Sequence, residues 1–279
     1  MHAADLYFYQ GYDPEFILKK AMALKTIYMY PTEFSDFSKS VNCDIEAQDA
    51  AFLGALATEL HCAAFHQIEG LLALLLAEYQ SRPHWVYLTS YGNFEMKNAA
   101  RLITAERYEE ISHGVHKTGL QFVRASVYAG WKFDGPDENK AWLESLNDIE
   151  WFIKYCAQAF LAGSEYNAYK HGLRVVSGAA ALAARVAEGP LKTVISMQHS
   201  LSYLEMYETP DGYQAEEVTK ELSPDHSFQI LHIAAQVLSP IKECRKARAL
   251  GKVDEFRALT IDRNAFMASC KVSKFSFSF

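Results

Sequence analysis

"LHCAAFHQIEGLLALLLA", residues 60–77, is the stretch on which the fold class turns. Leu60, Ala64, Ile68, Leu71 and Leu75 recur at steps of three and four, and Phe52, Leu53 and Leu56 carry the same stripe upstream. That spacing predicts a helix over Asp44–Tyr79 with one buried face. From Leu71 to Ala77 every residue is apolar, so this half belongs inside the fold, enclosed on all sides. The run is too short to be read as a bilayer span.

Working outward, the same periodicity finds the other helices. Tyr12–Tyr30 is expected as the first, with Asp13 as N-cap, Pro14 at the first helical position and Pro31 as its stop. "PTEFSDFSKSVN" (31–42) and "QSRPHWVYLTSYGN" (80–93) are expected as loop and connector, with helices over Phe94–Arg107 and Tyr108–Gly130. Trp142, Leu146, Ile149, Ile153, Cys156 and Phe160 mark the clearest helix, Glu138–Gly163. A last helix, 223–250, runs through Phe228, Leu231, Ala235 and Leu238, kinked at Pro240. "LSYLEMYET", "PDG" and "YQAEEVTKEL" predict a β-hairpin near residues 201–222, and the tail "CKVSKFSFSF" alternates like a strand. The expected architecture is mainly α: a helical bundle forming one domain over 1–279. A small hairpin insertion occupies 190–222.

The formal charge of −7 argues against a surface built to coat nucleic acid or an anionic membrane, while leaving room for a local basic groove. Five scattered cysteines with no CxxC pair exclude a zinc ribbon or a thioredoxin-type site. Cys62 and Cys156 fall within apolar helical patterns as small hydrophobes, which suits a reducing compartment. "MHAADLYFYQGYDPE" lacks the basic start and apolar run of a signal peptide, so a cytoplasmic protein with no membrane partner is expected. No Walker loop, HExxH, GxSxG elbow or strand-borne GxGxxG occurs, which removes P-loop, zinc-protease and hydride-transfer chemistry.

Polar residues in apolar company are the candidates for function. On the long helix Glu59, Cys62, His66 and Glu69 share a face at about 100° per residue. A di-iron bundle would need Glu-x-x-His on two helices and two further glutamates. Here HxxE at His66–Glu69 occurs once, and His113 and His116 have no carboxylate in register. Neither metal nor cofactor is expected. "KECRKAR" (242–248) is expected on a solvated surface, offsetting a helix dipole, with phosphate contact as the alternative. "LYFYQGY" (6–12) is expected to pack the terminus or join two subunits.

The second informative stretch is "EYNAYKHGLRVV", residues 165–176. If its helix runs through Arg174, then Asn167, Lys170, His171 and Arg174 form one polar stripe that would attract a phosphate, and His171 could move a proton near neutral pH. If the helix stops at Gly172, Lys170 and His171 merely complement its negative end.

A long helix with "FHQIEGLLALL" followed by a late "YNAYKHG" resembles the HEPN superfamily of helical nucleotide-binding domains, over residues 44–176. The resemblance implies a bundle of four or five helices, often a homodimer. It also implies RNA or nucleotide binding, or metal-independent RNA cleavage, frequently in defence or toxin systems. On this pattern His171, Asn167 and Lys170 are the catalytic candidates, with Arg174, Glu69 and His66 as substrate-binding residues. The family's ribonucleases place an arginine four to six positions before the histidine, where this chain has Glu165, Tyr166 and Asn167. Lys170 or Arg174 would therefore have to supply the cation that stabilises the transition state. The competing expectations are a non-enzymatic helical scaffold or partner-binding subunit and, behind it, a bundle metalloprotein using Glu59, His66 and Glu69.

Overall fold

The computed structural model describes residues 3–131, 136–170, 175–184, 192–210, 212–251, 258–270 and 274–278. Helices dominate, so the chain is mainly α. It divides into two compact units, each assembled from segments distant in sequence. Residues 1–18, 65–162 and 230–265 form a helical unit, and 19–64, 163–229 and 266–279 form a unit that carries a sheet. One domain over 1–279 was the expectation because no linker interrupts the chain. The boundaries fall inside continuous helices, such as Ala50–Ala77, where composition gives no warning.

In the helical unit the apolar run behaves as its composition requires: Leu71 through Ala77 are all buried. Helix Pro136–Ala162 buries Trp142, Leu146, Ile149, Ile153, Cys156 and Phe160. Each such side chain contributes about 1.5–3 kcal/mol by leaving water. Helices Asn93–Thr104 and Gly119–Ser126 pack against this helix. A stripe shows which face is buried but not against what. The helix expected over Tyr108–Gly130 is broken into Tyr108–Ile111 and Gly119–Ser126, because His113 and Gly114 turn the chain at φ 52° and 84°. The connector 80–93 holds a short helix, His84–Leu88.

The basic cluster near the C-terminal end of helix Pro224–Leu250 keeps Arg248 exposed and Lys242 and Lys246 half-buried, but one member departs from the solvated surface expected for it. Arg245 is 0% exposed. Its Nη1 donates to Tyr9 Oη at 2.6 Å and its Nη2 to the carbonyls of Leu74 (2.8 Å) and Ser126 (3.0 Å). Its Nε lies 3.4 Å from Glu78 Oε2, and Arg248 grips the same carboxylate with two bonds of 2.6 and 3.0 Å. The guanidinium thus ties Tyr9, Leu74 and Ser126, residues from three distant segments, to one buried point. Periodicity missed this because a long cationic side chain can sit on the buried face when its donors find fixed acceptors.

The second unit holds four antiparallel strands in the order β1 (Val175–Ala184), β2 (Lys192–Thr209), β3 (Gly212–Glu221), β4 (Lys274–Ser278). The runs around Pro210–Gly212 therefore pair within a wider sheet, and β2 begins nine residues before the hairpin expected at 201–222. β1 was missed because "VVSGAAALAA" is rich in alanine, a poor strand former that pairing with β2 overrides. It packs where Gly54 of the long helix meets Gly178: a Cβ built at Gly54 would lie 3.3 Å from the Gly178 backbone, so a larger side chain would push the strand away. Residues 31–42, expected as a loop, contain helix Pro31–Ser40. Pro31 does end the preceding helix, Phe16–Met29, but it also occupies the first turn of the next, where its missing N–H costs nothing. Asp13, expected as the N-cap, instead closes a turn before helix Phe16–Met29, its Oδ1 accepting from Glu15 N at 3.0 Å.

Candidate functional site

Gly163 ends the long Pro136–Ala162 helix, and a short helix, Ser164–Lys170, follows within the sheet-bearing unit. Nearly every polar group on it has a partner there. Ser164 Oγ donates to Glu205 Oε1 and lies 3.2 Å from Tyr203 Oη. Tyr203 donates to the same oxygen at 3.1 Å, and Tyr207 donates to Glu205 Oε2. Glu165, 3% exposed, meets His61 Nε2 at 3.3 Å through Oε1 and Lys220 Nζ at 2.7 Å through Oε2. Tyr169 Oη donates to Glu59 Oε1 at 2.6 Å. Tyr166 is buried, and the Lys170 ammonium sits 4.4 Å from its ring centroid.

The electrostatics follow from these contacts. Burial pushes the Glu165 carboxyl up, but the His61 hydrogen bond and the Lys220 charge outweigh it and hold the group below its usual range. Burial, with the Glu59 hydrogen bond and charge, pushes the Tyr169 phenol up, so it stays a donor. Burial and the charges of Glu59 and Glu165 likewise raise the Cys62 thiol, which removes it as a nucleophile at neutral pH.

Of the residues singled out from sequence, Asn167 is half-buried and Lys170 is exposed on this helix. His171 and Arg174 lie outside the described residues, so the stripe is placed only as far as Lys170. His66 and Glu69 belong to the helical unit, where His66 is exposed and Glu69 half-buried. There Tyr91 is pushed up to about 12, by burial and then by the Glu69 charge. Glu59 accepts the Tyr169 hydroxyl. Among the described residues no group of three or more His, Cys, Asp or Glu side chains forms a metal-binding set.

Sequence reasoning missed Glu165, His61, Lys220 and the Glu205 cluster as a connected network. Glu165 had drawn notice only as the wrong residue for the missing arginine. His61 and Lys220 stand 104 and 55 residues from Glu165, and nothing local announces either. The Glu205 cluster did leave a trace: in "YLEMY" the polar tips of Tyr203, Glu205 and Tyr207 alternate with Leu204 and Met206.

Glu165→Gln keeps the shape but removes the charge facing Lys220 and His61. It is expected to lower stability by about 1–3 kcal/mol at pH 7. Lys220→Met should recover part of that loss in the double variant. Urea unfolding of the parent, both single variants and the double variant checks this coupling.

No protein-family model, curated protein or solved structure matches the chain.

Proposed function

We propose that this is a HEPN-like helical protein that binds RNA or a nucleotide at the surface of the Ser164–Lys170 helix. In this reading the helical unit belongs to a bundle, the β2–β3 hairpin is an insertion, and the protein works in the cytoplasm, as a homodimer and away from membranes. A defence or toxin role is the biological setting that the resemblance implies. The observation that carries the reading is the placement of Lys170. Its ammonium is exposed, held over the Tyr166 ring, on a helix whose neighbouring side chains are fixed by Glu59, Lys220 and Glu205. A cation held on a rigid helix beside the half-buried Asn167 amide loses little freedom when it meets a phosphate. Cleavage is the less supported half. The upstream position that would carry an arginine holds Glu165, whose carboxylate is already engaged by Lys220.

Fluorescence polarisation with a labelled single-stranded oligoribonucleotide tests the reading. The parent is expected to bind at about 50 mM salt, more weakly as salt rises, and Lys170→Gln to weaken binding about three- to tenfold. His171→Ala then separates binding from cleavage: loss of product with retained binding assigns chemistry to His171. A parent that binds no oligonucleotide at low salt ends the proposal.

One observation favours the second reading, a non-enzymatic scaffold or partner-binding subunit. Ser164, Glu165 and Tyr169 all spend their polar groups inside the fold. In that case the segment organises the sheet-bearing unit and Lys170→Gln changes nothing measurable.

A further inference from the structure

Between Tyr203 and Met206 strand β2 is inverted relative to an ordinary half-buried strand. Its polar-tipped side turns inward at Tyr203, which is buried and whose hydroxyl, with that of Ser164, converges on Glu205, while the exposed Tyr207 reaches the same carboxylate from the rim. Its aliphatic side turns outward, with Leu204 60% and Met206 61% exposed. The register continues this outward face onto β3, where Leu204 pairs with Glu217, Met206 with Ala215 and Glu208 with Tyr213. Tyr213 is 76% exposed and stands diagonally across from Met206. Val176 of β1, paired with Ser202, extends the same face and is also exposed. The result is a continuous apolar strip across three strands.

On the β2 and β3 part of this face the charges of the described residues have one sign. Between Ser200 and Glu208 of β2 and between Tyr213 and Glu221 of β3, alternation puts Glu208, Glu217 and Glu221 on it and no lysine or arginine. Lys220 belongs to the opposite face, on Glu165. A second copy related by a two-fold axis would bring acidic groups against acidic groups, which disfavours self-association here. RNA would be repelled by the same carboxylates.

We propose that the outward face of β2 and β3 is a docking surface for a basic amphipathic segment of another protein. Its apolar side covers Leu204, Met206 and Tyr213, and its lysines or arginines meet Glu208 and Glu217. The surface is separate from the Lys170 position and holds whether or not the chain binds RNA.

The test uses the full chain and two synthetic probes of equal length, an amphipathic Leu/Lys peptide and its Leu/Glu counterpart, with binding read by fluorescence polarisation. The parent is expected to bind the Leu/Lys peptide and not the Leu/Glu peptide. Met206→Ser combined with Tyr213→Ser should weaken that binding about tenfold or more, as removal of central apolar anchors does. Glu208→Lys combined with Glu217→Lys should reverse the preference toward the Leu/Glu peptide. Met206, Glu208 and Tyr213 are exposed and Glu217 is half-buried, and circular dichroism melts check that the variants stay folded. If the Ser pair fails to fold, the charge reversal alone decides. Equal binding of the two peptides by the parent, or an unchanged preference in the charge-reversed protein, overturns the proposal. So does a concentration-dependent dimer, seen by light scattering, that the Ser pair abolishes, because a second copy is then the occupant.

Discussion

Arg245→Met is expected to cost about 3–5 kcal/mol of stability, the range seen when one partner of a buried ionic network is removed. The methionine fills the hydrocarbon volume but leaves the carbonyls of Leu74 and Ser126 without their donor, and Glu78 loses one of its two guanidinium neighbours. Tyr9 Oη now accepts from Arg245 and lies 2.9 Å from His84 Nδ1, so its own hydrogen can pass to that nitrogen. Without the guanidinium this relay loses its anchor. Lys246→Ala, one residue on, is the control: its ammonium meets Glu243 at 3.5 Å near the surface, so a change within about 0.5 kcal/mol is expected. Urea unfolding of both variants checks the contrast. Equal stabilities for Arg245→Met and the parent would show that the buried guanidinium adds nothing over an apolar side chain of similar volume, an outcome known for some buried ion networks.

The second large effect is acid sensitivity that begins well above the carboxylate range. Burial, then the nearby Arg245 charge, holds His84 down to about 4. Burial, then the His61 charge, holds His226 down to about 4 as well. Each would titrate at 6.5 in an unfolded chain. Between those two values the unfolded chain binds protons that the folded chain does not, so acidification favours unfolding. The loss starts as pH falls through 6.5 and is complete below about 4, on the order of 2–3 kcal/mol for each histidine. The carboxylates add a later loss. Burial raises Glu78, but the Arg248 hydrogen bond and the Arg245 charge bring it below its usual 4.5. Glu165 is also held below 4.5, so both pairs keep their stabilising effect above that value and lose it as pH falls through the lowered pKa. Melting temperatures measured between about pH 7 and pH 4.5 should therefore fall before the carboxylates titrate. Replacing both histidines by asparagine should lower stability at neutral pH and flatten the slope below 6.5. A parent whose melting temperature is constant down to pH 5 contradicts the assignment.

Particular residues mark how far the sequence could be read. Leu71–Ala77 could have only one fate, because seven consecutive apolar residues leave no face for water, and all seven are buried. The Trp142–Phe160 stripe was legible for the same reason. Strand β1 was not legible: its alanines carry no strand signal, and only pairing with β2 and the close approach at Gly54 and Gly178 hold it extended. At the candidate site Lys170 and Asn167 were visible as a polar interruption in an apolar stretch. His61 and Lys220, which hold Glu165, were invisible, because a salt bridge across 55 residues leaves no mark on local pattern.

The sequence by itself determined that helices dominate and which faces of the long helices are buried, since solvent exclusion acts on each local periodic pattern. Only the tertiary structure decided that the chain forms two units from interleaved segments and that the β2–β3 hairpin sits in a four-stranded sheet. It alone showed that Arg245 lies in the interior rather than on a basic surface, and that Leu204 and Met206 face outward while Glu205 gathers hydroxyls within. These outcomes depend on contacts between residues distant in the chain. Whether a buried charge or an inverted strand is tolerated is set by the partners that folding brings to it, and no local pattern names those partners.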